Sequence, residues 1–275
     1  MRNIPSFVIT VGLAALVLNL SGCGDERREG AIDAIVRSEI LAQERELIIH
    51  LPRNHDTTRT YPVVYVLDGS SQDDHIADEF ERLSAAGAAP QAIVVGIPNM
   101  SAENRVRNLT PPLLRTDVEK PDSPVGEGDV FLSFMESELF PFIERRYKTS
   151  HTRLFVGHSR GALLVMYSLL FRPDMFSARF CFSGPFWRQD HLLTSKVAEL
   201  LTSADTLRTF VYLSAGDQET ERIKGGLESM RAVFQKNAVP GLVWHTDLTP
   251  GADHEHNPTF SAAAAIGTWN DFVKN

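Results

Sequence analysis

The chain has 275 residues, of which 43% are hydrophobic and 23% are charged, a composition typical of a globular protein with one large core. Its formal net charge is -8, from 27 lysines and arginines against 35 aspartates and glutamates. Because this balance leaves no basic surface to neutralise a polyphosphate, we exclude nucleic acid as an expected partner.

The first residues have the form of an export signal. Arg2 precedes an apolar run over residues 7–20, which is too short and too polar for a convincing membrane-spanning helix, and small residues follow it up to Cys23. This ending resembles the bacterial lipobox, in which the cysteine is lipidated and becomes the first residue of the mature protein. An ordinary signal cleaved close to an incidental Cys23 is the alternative.

We therefore predict a lipoprotein signal peptide over residues 1–22, a tether over residues 23–35 and one domain over residues 36–275. Acyl chains such as palmitate contribute about 0.8 kcal/mol per buried methylene, and two chains suffice for stable anchoring. The expected location is the bacterial cell envelope, with the protein lipid-anchored to a membrane, and the Gly24 that follows the cysteine favours the outer membrane. The second cysteine, Cys181, then has no disulfide partner and is expected to be a buried core thiol.

Five apolar runs predict strands. They cover residues 45–52, 61–67, 92–97, 153–157 and 210–214. Most are β-branched and do not alternate with polar residues, which suits strands covered on both faces. Helical spacing of apolar residues predicts helices over residues 78–86, 131–147, 162–171, 224–237 and 259–272. Strand and helix alternate, so we expect an α/β fold with a parallel sheet between two layers of helices.

Two segments of the chain are candidates for the functional site. The stretch over residues 99–129 is rich in proline, glycine and charge, and is predicted to be a long excursion near the sheet edge that binds ligands. Residues 157–161 read Gly-His-Ser-Arg-Gly and lie between a predicted strand and a predicted helix. This context is typical of a nucleophile elbow, which points the Ser159 hydroxyl at a helix N-terminus whose free N–H groups favour a developing oxyanion.

A nucleophilic serine needs a histidine base, and that histidine needs a carboxylate to orient it. In folds with this elbow the chain order is serine, acid, histidine. Asp217 and Glu219 follow the strand predicted over residues 210–214, and His254 and His256 precede the closing helix. The chain therefore has the required order of serine, acid and histidine. Either carboxylate and either histidine fits this order, so the choice within each pair stays open.

Several matches in chain order carry a resemblance to a known group of enzymes. They cover residues 45–52, 61–69, 93–99, 107–111, 138–143, 157–159, 172–176 and 253–254. In these segments the chain resembles the esterase branch of the α/β-hydrolases, which includes enterochelin-type siderophore esterases, feruloyl and acetyl-xylan esterases, S-formylglutathione hydrolases and mycolyltransferases. The resemblance implies an α/β-hydrolase fold with a mostly parallel central sheet, and a serine carboxylic-ester hydrolase that needs no cofactor and acts on a small or siderophore-like ester.

The resemblance also implies which residues form the triad. Relatives place the acid three residues beyond a glycine that ends the strand, and counting from Gly216 selects Glu219, with Asp217 as the alternative. Their histidine is followed four residues later by a proline, which selects His254, with His256 as the alternative.

The oxyanion hole is expected to combine the backbone N–H groups of Arg160 and Ser70. The chain departs from its relatives at Arg160 and Ala162, where an apolar residue and a second glycine are usual, so neighbouring specificity contacts cannot be carried over.

Three further side chains are candidates for substrate contact. Trp187 is expected to line the acyl or alcohol pocket, with a place in the core as the alternative. Arg105 and Arg107 are candidates for an anionic or catechol-bearing substrate, with surface pairing to Asp117 or Glu119 as the alternative.

Three competing functions stay open at this point. The cluster over residues 253–256 offers two histidines and two carboxylates to a metal, but nothing elsewhere has metalloprotease spacing, so no metal is expected. An acyltransferase would use the same triad and deliver the acyl group to an alcohol. An inactive surface lipoprotein would use the fold only to bind a ligand.

Overall fold

The computed structural model describes residues 28–274, so the predicted signal peptide and Cys23 lie outside the described residues. The strands in this range are β1 (Ile32–Ser38), β2 (Gln43–His50), β3 (Tyr61–Leu67), β4 (Ile93–Ile97), β5 (Thr149–His158), β6 (Ala178–Phe182), β7 (Thr209–Gly216) and β8 (Leu242–Thr249). They form one sheet in the order β1-β2-β4-β3-β5-β6-β7-β8. The pairs β1–β2 and β2–β4 are antiparallel, and all other neighbours are parallel.

The helices cover both faces of this sheet. They are α1 (Asp73–Ala85), α2 (Ala102–Asn108), α3 (Gly128–Phe134), α4 (Phe140–Glu144), α5 (Arg160–Phe171), α6 (Arg188–Ser203), α7 (Glu221–Lys236) and α8 (Asn257–Lys274). Helices α1 and α8 supply the core on one face, and helices α3 to α7 supply the core on the other. The predicted α/β fold with helices on both faces is confirmed. No helix within residues 28–274 is long and apolar enough to cross a membrane.

Strand β3 shows why the apolar runs do not alternate. Tyr65 and Leu67 belong to the core on one face of the sheet, whereas Val64 and Val66 belong to the core on the other. Because successive side chains of a strand point to opposite faces, a strand with helices on both sides needs apolar residues at every position. The same packing buries Cys181 completely, and burial raises the pKa of its thiol above the usual range.

The structure differs from the sequence prediction in several places. Strand β1 begins at Ile32, inside the stretch predicted to be a tether. The predicted strands and helices do not include β6, β8, α2 or α6. Both β1 and β8 are edge strands with exposed positions, so they lack the continuous apolar run that marks the inner strands. The single helix predicted over residues 131–147 is instead α3, a π-helical turn at Met135–Leu139 and α4, because Pro141 has no N–H to continue a regular ladder.

Candidate active site

Ser159 lies on a sharp turn between β5 and α5. Its backbone has φ 53° and ψ -119°, a left-handed conformation that costs a non-glycine residue energy. A Cβ at Gly157 would lie 2.6 Å from the carbonyl carbon of Gly161, so the close approach of strand and helix requires glycine at 157. Arg160 is the first residue of α5, and its backbone N–H therefore has no acceptor within the helix.

The structure brings Ser159, His254 and Glu219 together in one line of hydrogen bonds. His254 Nδ1 lies 2.6 Å from Glu219 Oε2, and His254 Nε2 lies 2.9 Å from Ser159 Oγ. A carboxylate can only accept, so Nδ1 carries the proton and donates to Glu219. Nε2 then keeps its lone pair and accepts from the Ser159 hydroxyl, which is the arrangement a general base needs.

Glu219 is a buried carboxylate whose two oxygens both accept hydrogen bonds. Its side chain is inaccessible, and Oε1 accepts from the Gly216 N–H at 2.9 Å and from Ser183 Oγ at 2.6 Å. Burial alone would raise the pKa of Glu219, but the hydrogen bonds that it accepts together hold that pKa below its usual value. The carboxylate is therefore ionised at neutral pH and fixed in position.

Ser183 and Asn257 hold Glu219 through a chain of hydrogen bonds, and the sequence analysis identified neither residue. Asn257 Nδ2 donates to Ser183 Oγ at 2.9 Å, so the Ser183 hydroxyl is oriented to donate to the carboxylate. Both side chains are fully buried, and Ser183 itself has a positive φ of 54° at the end of β6. Small polar residues are common at the ends of strands, so the sequence gives no signal that Ser183 has this role.

The alternative triad residues lie outside this line. Asp217 Oδ1 accepts from the Gly251 N–H at 2.8 Å, and His256 Nδ1 pairs with Asp253 Oδ1 at 2.7 Å. Of the candidate metal ligands over residues 253–256, His254 is bonded to Glu219, and His256 to Asp253. The group of potential ligand atoms that the described residues do gather is His50, Asp73 and Asp74, which includes none of these residues.

A second histidine packs against the triad histidine. His158 Nε2 donates to the backbone carbonyl of His254 at 2.7 Å, and the two ring centroids are 4.7 Å apart. Burial, and then the neighbouring His254, lower the pKa of His158 to about 4. His158 is therefore neutral at physiological pH and holds the loop that carries His254.

The two predicted oxyanion donors differ in their surroundings. The Arg160 N–H is free at the start of α5, whereas the Ser70 N–H donates to Asp73 Oδ1 at 2.6 Å. Asp73 is in turn held by His50 Nε2 at 2.8 Å, and both side chains are buried. A role for Ser70 at an oxyanion would require its N–H to exchange this partner, so that role stays a prediction.

A cavity of about 450 Å³ opens beside Ser159. Its lining residues are Arg105, Val106, Thr116, Asp117, Val118, Ser159, Arg160, Pro185, Trp187 and Arg188. Trp187 thus lies on the cavity wall, as one reading of the sequence predicts. Arg105 is also on the wall but is held by Asp68 through two hydrogen bonds of 2.6 and 2.8 Å. Arg107 is not part of the wall and pairs with Glu127 at 3.4 Å.

The family of the chain follows from a match over most of its length. The model of the family described as "Putative esterase" matches residues 38–275. The chain belongs to this esterase family. As a member of the family it is a carboxylic ester hydrolase, and the arrangement of Ser159, His254 and Glu219 lies within the matched region.

Relatives in the esterase family include proteins named for siderophore hydrolysis. The ferri-bacillibactin esterase BesA of Bacillus subtilis is 28% identical over 215 residues, which cover 70% of this chain and 72% of the relative. The siderophore triacetylfusarinine C esterase of Aspergillus fumigatus is 31% identical over 137 residues, which cover 46% of this chain and 44% of the relative.

Solved structures share the fold. An IroE-like serine hydrolase from Shewanella oneidensis superimposes with a TM-score of 0.79 at 26% identity, covering 88% of this chain and 80% of that one. An enterochelin esterase from Shigella flexneri has a TM-score of 0.67 at 20% identity, covering 91% and 61%, and so shows the fold alone. The α/β-hydrolase fold expected from the resemblance is confirmed.

Proposed function

We propose that the chain is a serine esterase that works through an acyl-enzyme formed on Ser159. The observation that carries the proposal is the continuous line from Ser159 Oγ through His254 to Glu219, with hydrogen bonds of 2.9 and 2.6 Å. A serine hydroxyl is a weak nucleophile until a base removes its proton, and this line supplies a base whose tautomer is fixed by a buried carboxylate.

In the first half of the proposed reaction, Ser159 Oγ attacks the ester carbonyl while His254 Nε2 takes the hydroxyl proton. The carbonyl oxygen becomes an oxyanion, which the Arg160 N–H and the dipole of α5 stabilise. His254 then returns the proton to the leaving alcohol, and the carbon–oxygen bond of the ester breaks. The acyl group is left on Ser159 Oγ, and the imidazole is neutral again.

In the second half, water replaces the alcohol. His254 removes a proton from the water as its oxygen attacks the acyl carbonyl, and then gives that proton to Ser159 Oγ as the acid leaves. Throughout, Glu219 stays ionised and stabilises the imidazolium that forms twice in the cycle. An alcohol in the place of this water would give acyl transfer, which the triad alone does not prevent.

The substrate class that we propose is a small or siderophore-like ester. The names of the relatives support it, because BesA and the triacetylfusarinine C enzyme both act on siderophores according to those names. The cavity beside Ser159, of about 450 Å³, is compatible with a small acyl or alcohol group.

The test begins with a fluorophosphonate probe on protein lacking residues 1–23. We expect labelling of the wild type and none of Ser159→Ala, and a panel of acyl chain lengths and alcohols, including an iron-siderophore lactone, then ranks the substrates. Added alcohols report acyl transfer through the ester products they form. Unchanged ester hydrolysis by Ser159→Ala would overturn the mechanism.

We further propose that the mature chain begins at a lipidated Cys23 and is held on a bacterial membrane, with the outer membrane favoured. The support is the sequence pattern that ends at Cys23. Metabolic labelling with a palmitate analogue in a native host should give labelled, membrane-associated protein, and Cys23→Ser should remain unlabelled. Unmodified and wholly soluble wild-type protein would contradict this proposal.

A further inference from the structure

Arg188 is a buried guanidinium on the wall of the cavity beside Ser159. The residue is 5% exposed, and its Nη2 donates to the backbone carbonyl of Arg115 at 2.6 Å. Its Nε is buried, and no residue of the described chain accepts from it. Within residues 28–274 it forms no ion pair, although Asp117 on the same wall attracts its charge, so a buried donor remains without an acceptor beside the nucleophile.

Arg160 places a second such charge in the same cavity. Its Nη1 donates to Thr110 Oγ1 at 2.7 Å and to the Thr116 carbonyl at 3.1 Å, and no described carboxylate lies within ion-pair distance. Burial, and then the charges of Arg188 and Arg105, lower the pKa of Arg160 to about 10. Arg160 is still charged at neutral pH, and the two guanidiniums are close enough to repel each other.

The other charges on the wall are already compensated. Arg105 is neutralised by the bidentate pair with Asp68. The carboxylate on the wall, Asp117, lies 3.5 Å from Lys120 Nζ and also attracts Arg160 and Arg188 without forming an ion pair with either. With three guanidiniums and one carboxylate on its wall, the cavity keeps an excess of positive charge at Arg160 and Arg188, in a chain whose net charge is -8.

The backbone that holds Arg188 is fixed in an unusual conformation. The three residues that follow it, Gln189, Asp190 and His191, have positive φ values of 47°, 53° and 59°. Gln189 Oε1 accepts from the Arg115 N–H at 2.5 Å, which ties this turn to the excursion that forms the opposite wall. Such left-handed turns of non-glycine residues persist where the surroundings hold them, and they concentrate at ligand sites.

We propose that Arg160 and Arg188 form an anion-binding subsite beside Ser159, which selects esters that carry a compact anionic group such as a carboxylate. A carboxylate placed in the cavity accepts from the unpartnered N–H groups and removes the repulsion between the two guanidiniums, and the planar guanidinium matches its two oxygens. This inference rests on the proposed function, because it assigns the substrate class of the same cavity.

The experiment measures kcat/KM for two matched pairs of esters. For an anion on the acyl side, the pair is the p-nitrophenyl monoester of adipate and the p-nitrophenyl ester of adipamic acid. For an anion on the alcohol side, the pair is the acetate esters of hydroxyphenyl-propanoate and of its propanamide. In wild-type protein we expect the anionic member of at least one pair to be favoured by about ten- to hundredfold, the size of one charge-assisted hydrogen bond.

The variants Arg188→Met and Arg160→Leu test whether the two guanidiniums cause this preference. Each is expected to lower the ratio of anionic to neutral kcat/KM about tenfold, the equivalent of one such bond. A purely structural role for either arginine would lower both rates together and leave the ratio unchanged. The matched control is Arg231→Gln, which removes an equal charge from a partly exposed position on α7, where Arg231 pairs with Glu228, and should keep the wild-type ratio.

A ratio of anionic to neutral kcat/KM near one for both pairs in wild-type protein overturns the proposal. A ratio that stays at the wild-type value in both folded variants also overturns it. If neither variant folds, succinate is tested on wild-type protein as a competitive inhibitor of neutral-ester hydrolysis, with succinamide as the control at equal ionic strength. Inhibition by succinate alone supports the subsite, and equal or absent inhibition overturns it. Absence of both fluorophosphonate labelling and turnover of every ester would instead refute the proposed function itself, and the subsite with it.

Discussion

Replacement of Glu219 by glutamine tests the proposed mechanism at the hydrogen bond between Glu219 and His254. The carboxylate accepts from His254 Nδ1 with one oxygen, and from the Gly216 N–H and the Ser183 hydroxyl with the other. A glutamine has only one oxygen acceptor. The Gly216 N–H is a fixed backbone donor, so the amide oxygen of Gln is expected to face it and to turn the NH₂ group toward His254.

An NH₂ group at that place needs an acceptor, so it favours the tautomer of His254 with the proton on Nε2. That tautomer cannot take the proton of Ser159. The equivalent acid-to-amide change in a serine protease lowers kcat about 10⁴-fold for this reason, which corresponds to about 5.5 kcal/mol in the barrier. We therefore expect a loss of about 10⁴ in kcat for Glu219→Gln, with little change in thermal stability because the shape is kept.

The assay is the steady-state hydrolysis of a p-nitrophenyl ester, with Asp217→Asn as the matched control. Asp217 accepts from the Gly251 N–H through an oxygen that asparagine retains, so this variant should lose only a few-fold in kcat. If Glu219→Gln stays within about tenfold of wild type while Asp217→Asn is crippled, the acid is assigned wrongly, although the esterase reading survives.

Three further outcomes are expected. Ser159→Ala and His254→Ala should each lower kcat by about 10⁶-fold and the double variant no more, because the residues act as a unit; additive losses in single-turnover assays would contradict this. Burial lowers the pKa values of His75 and His158 to about 4, so the unfolded chain binds more protons between about pH 6.5 and 4, and stability should fall as the pH falls through that window. A Tm that does not change with pH across this window would count against the prediction. So would a His75→Gln variant whose Tm depends on pH as steeply as that of the wild type. Arg179 is fully buried and donates to two hydroxyls and several backbone carbonyls, so Arg179→Met should lower the free energy of unfolding in urea by at least about 3 kcal/mol, and a loss below about 1 kcal/mol would refute this reading.

The sequence predicts most of the inner strands and misses both edge strands. The strand predicted over residues 61–67 has the same bounds as β3, because a strand buried on both faces must be apolar at every position. Strand β8 was missed since it lies at the edge, where Val243 and Leu248 are exposed and polar residues are tolerated. Helix α6 was also missed, and the left-handed turn at its start has no glycine to mark it.

The candidate site was likewise predicted only in part from the sequence. The geometry that joins Ser159, Glu219 and His254 lies where the motif and the chain order predict it, since each follows a parallel strand whose end faces the same edge of the sheet. The support from Ser183 and the charge at Arg188 could not be predicted, because serine and arginine occur at many strand and helix ends without a special role. Their meaning depends on contacts between residues far apart in sequence.

The left-handed backbone at Ser159 and Ser183 has a consequence for laboratory evolution. Each non-glycine residue in such a conformation costs about 1–3 kcal/mol, and glycine adopts it without the penalty. A library of variants screened only for resistance to heat should therefore be enriched in glycine at position 159, where it would discard the nucleophile. At position 183 the same change would also remove the buried hydroxyl that bonds Glu219 and Asn257, and that loss offsets the gain in the backbone. A screen that scores surviving ester hydrolysis after heating would retain both serines and find its gains at the exposed edges of the sheet.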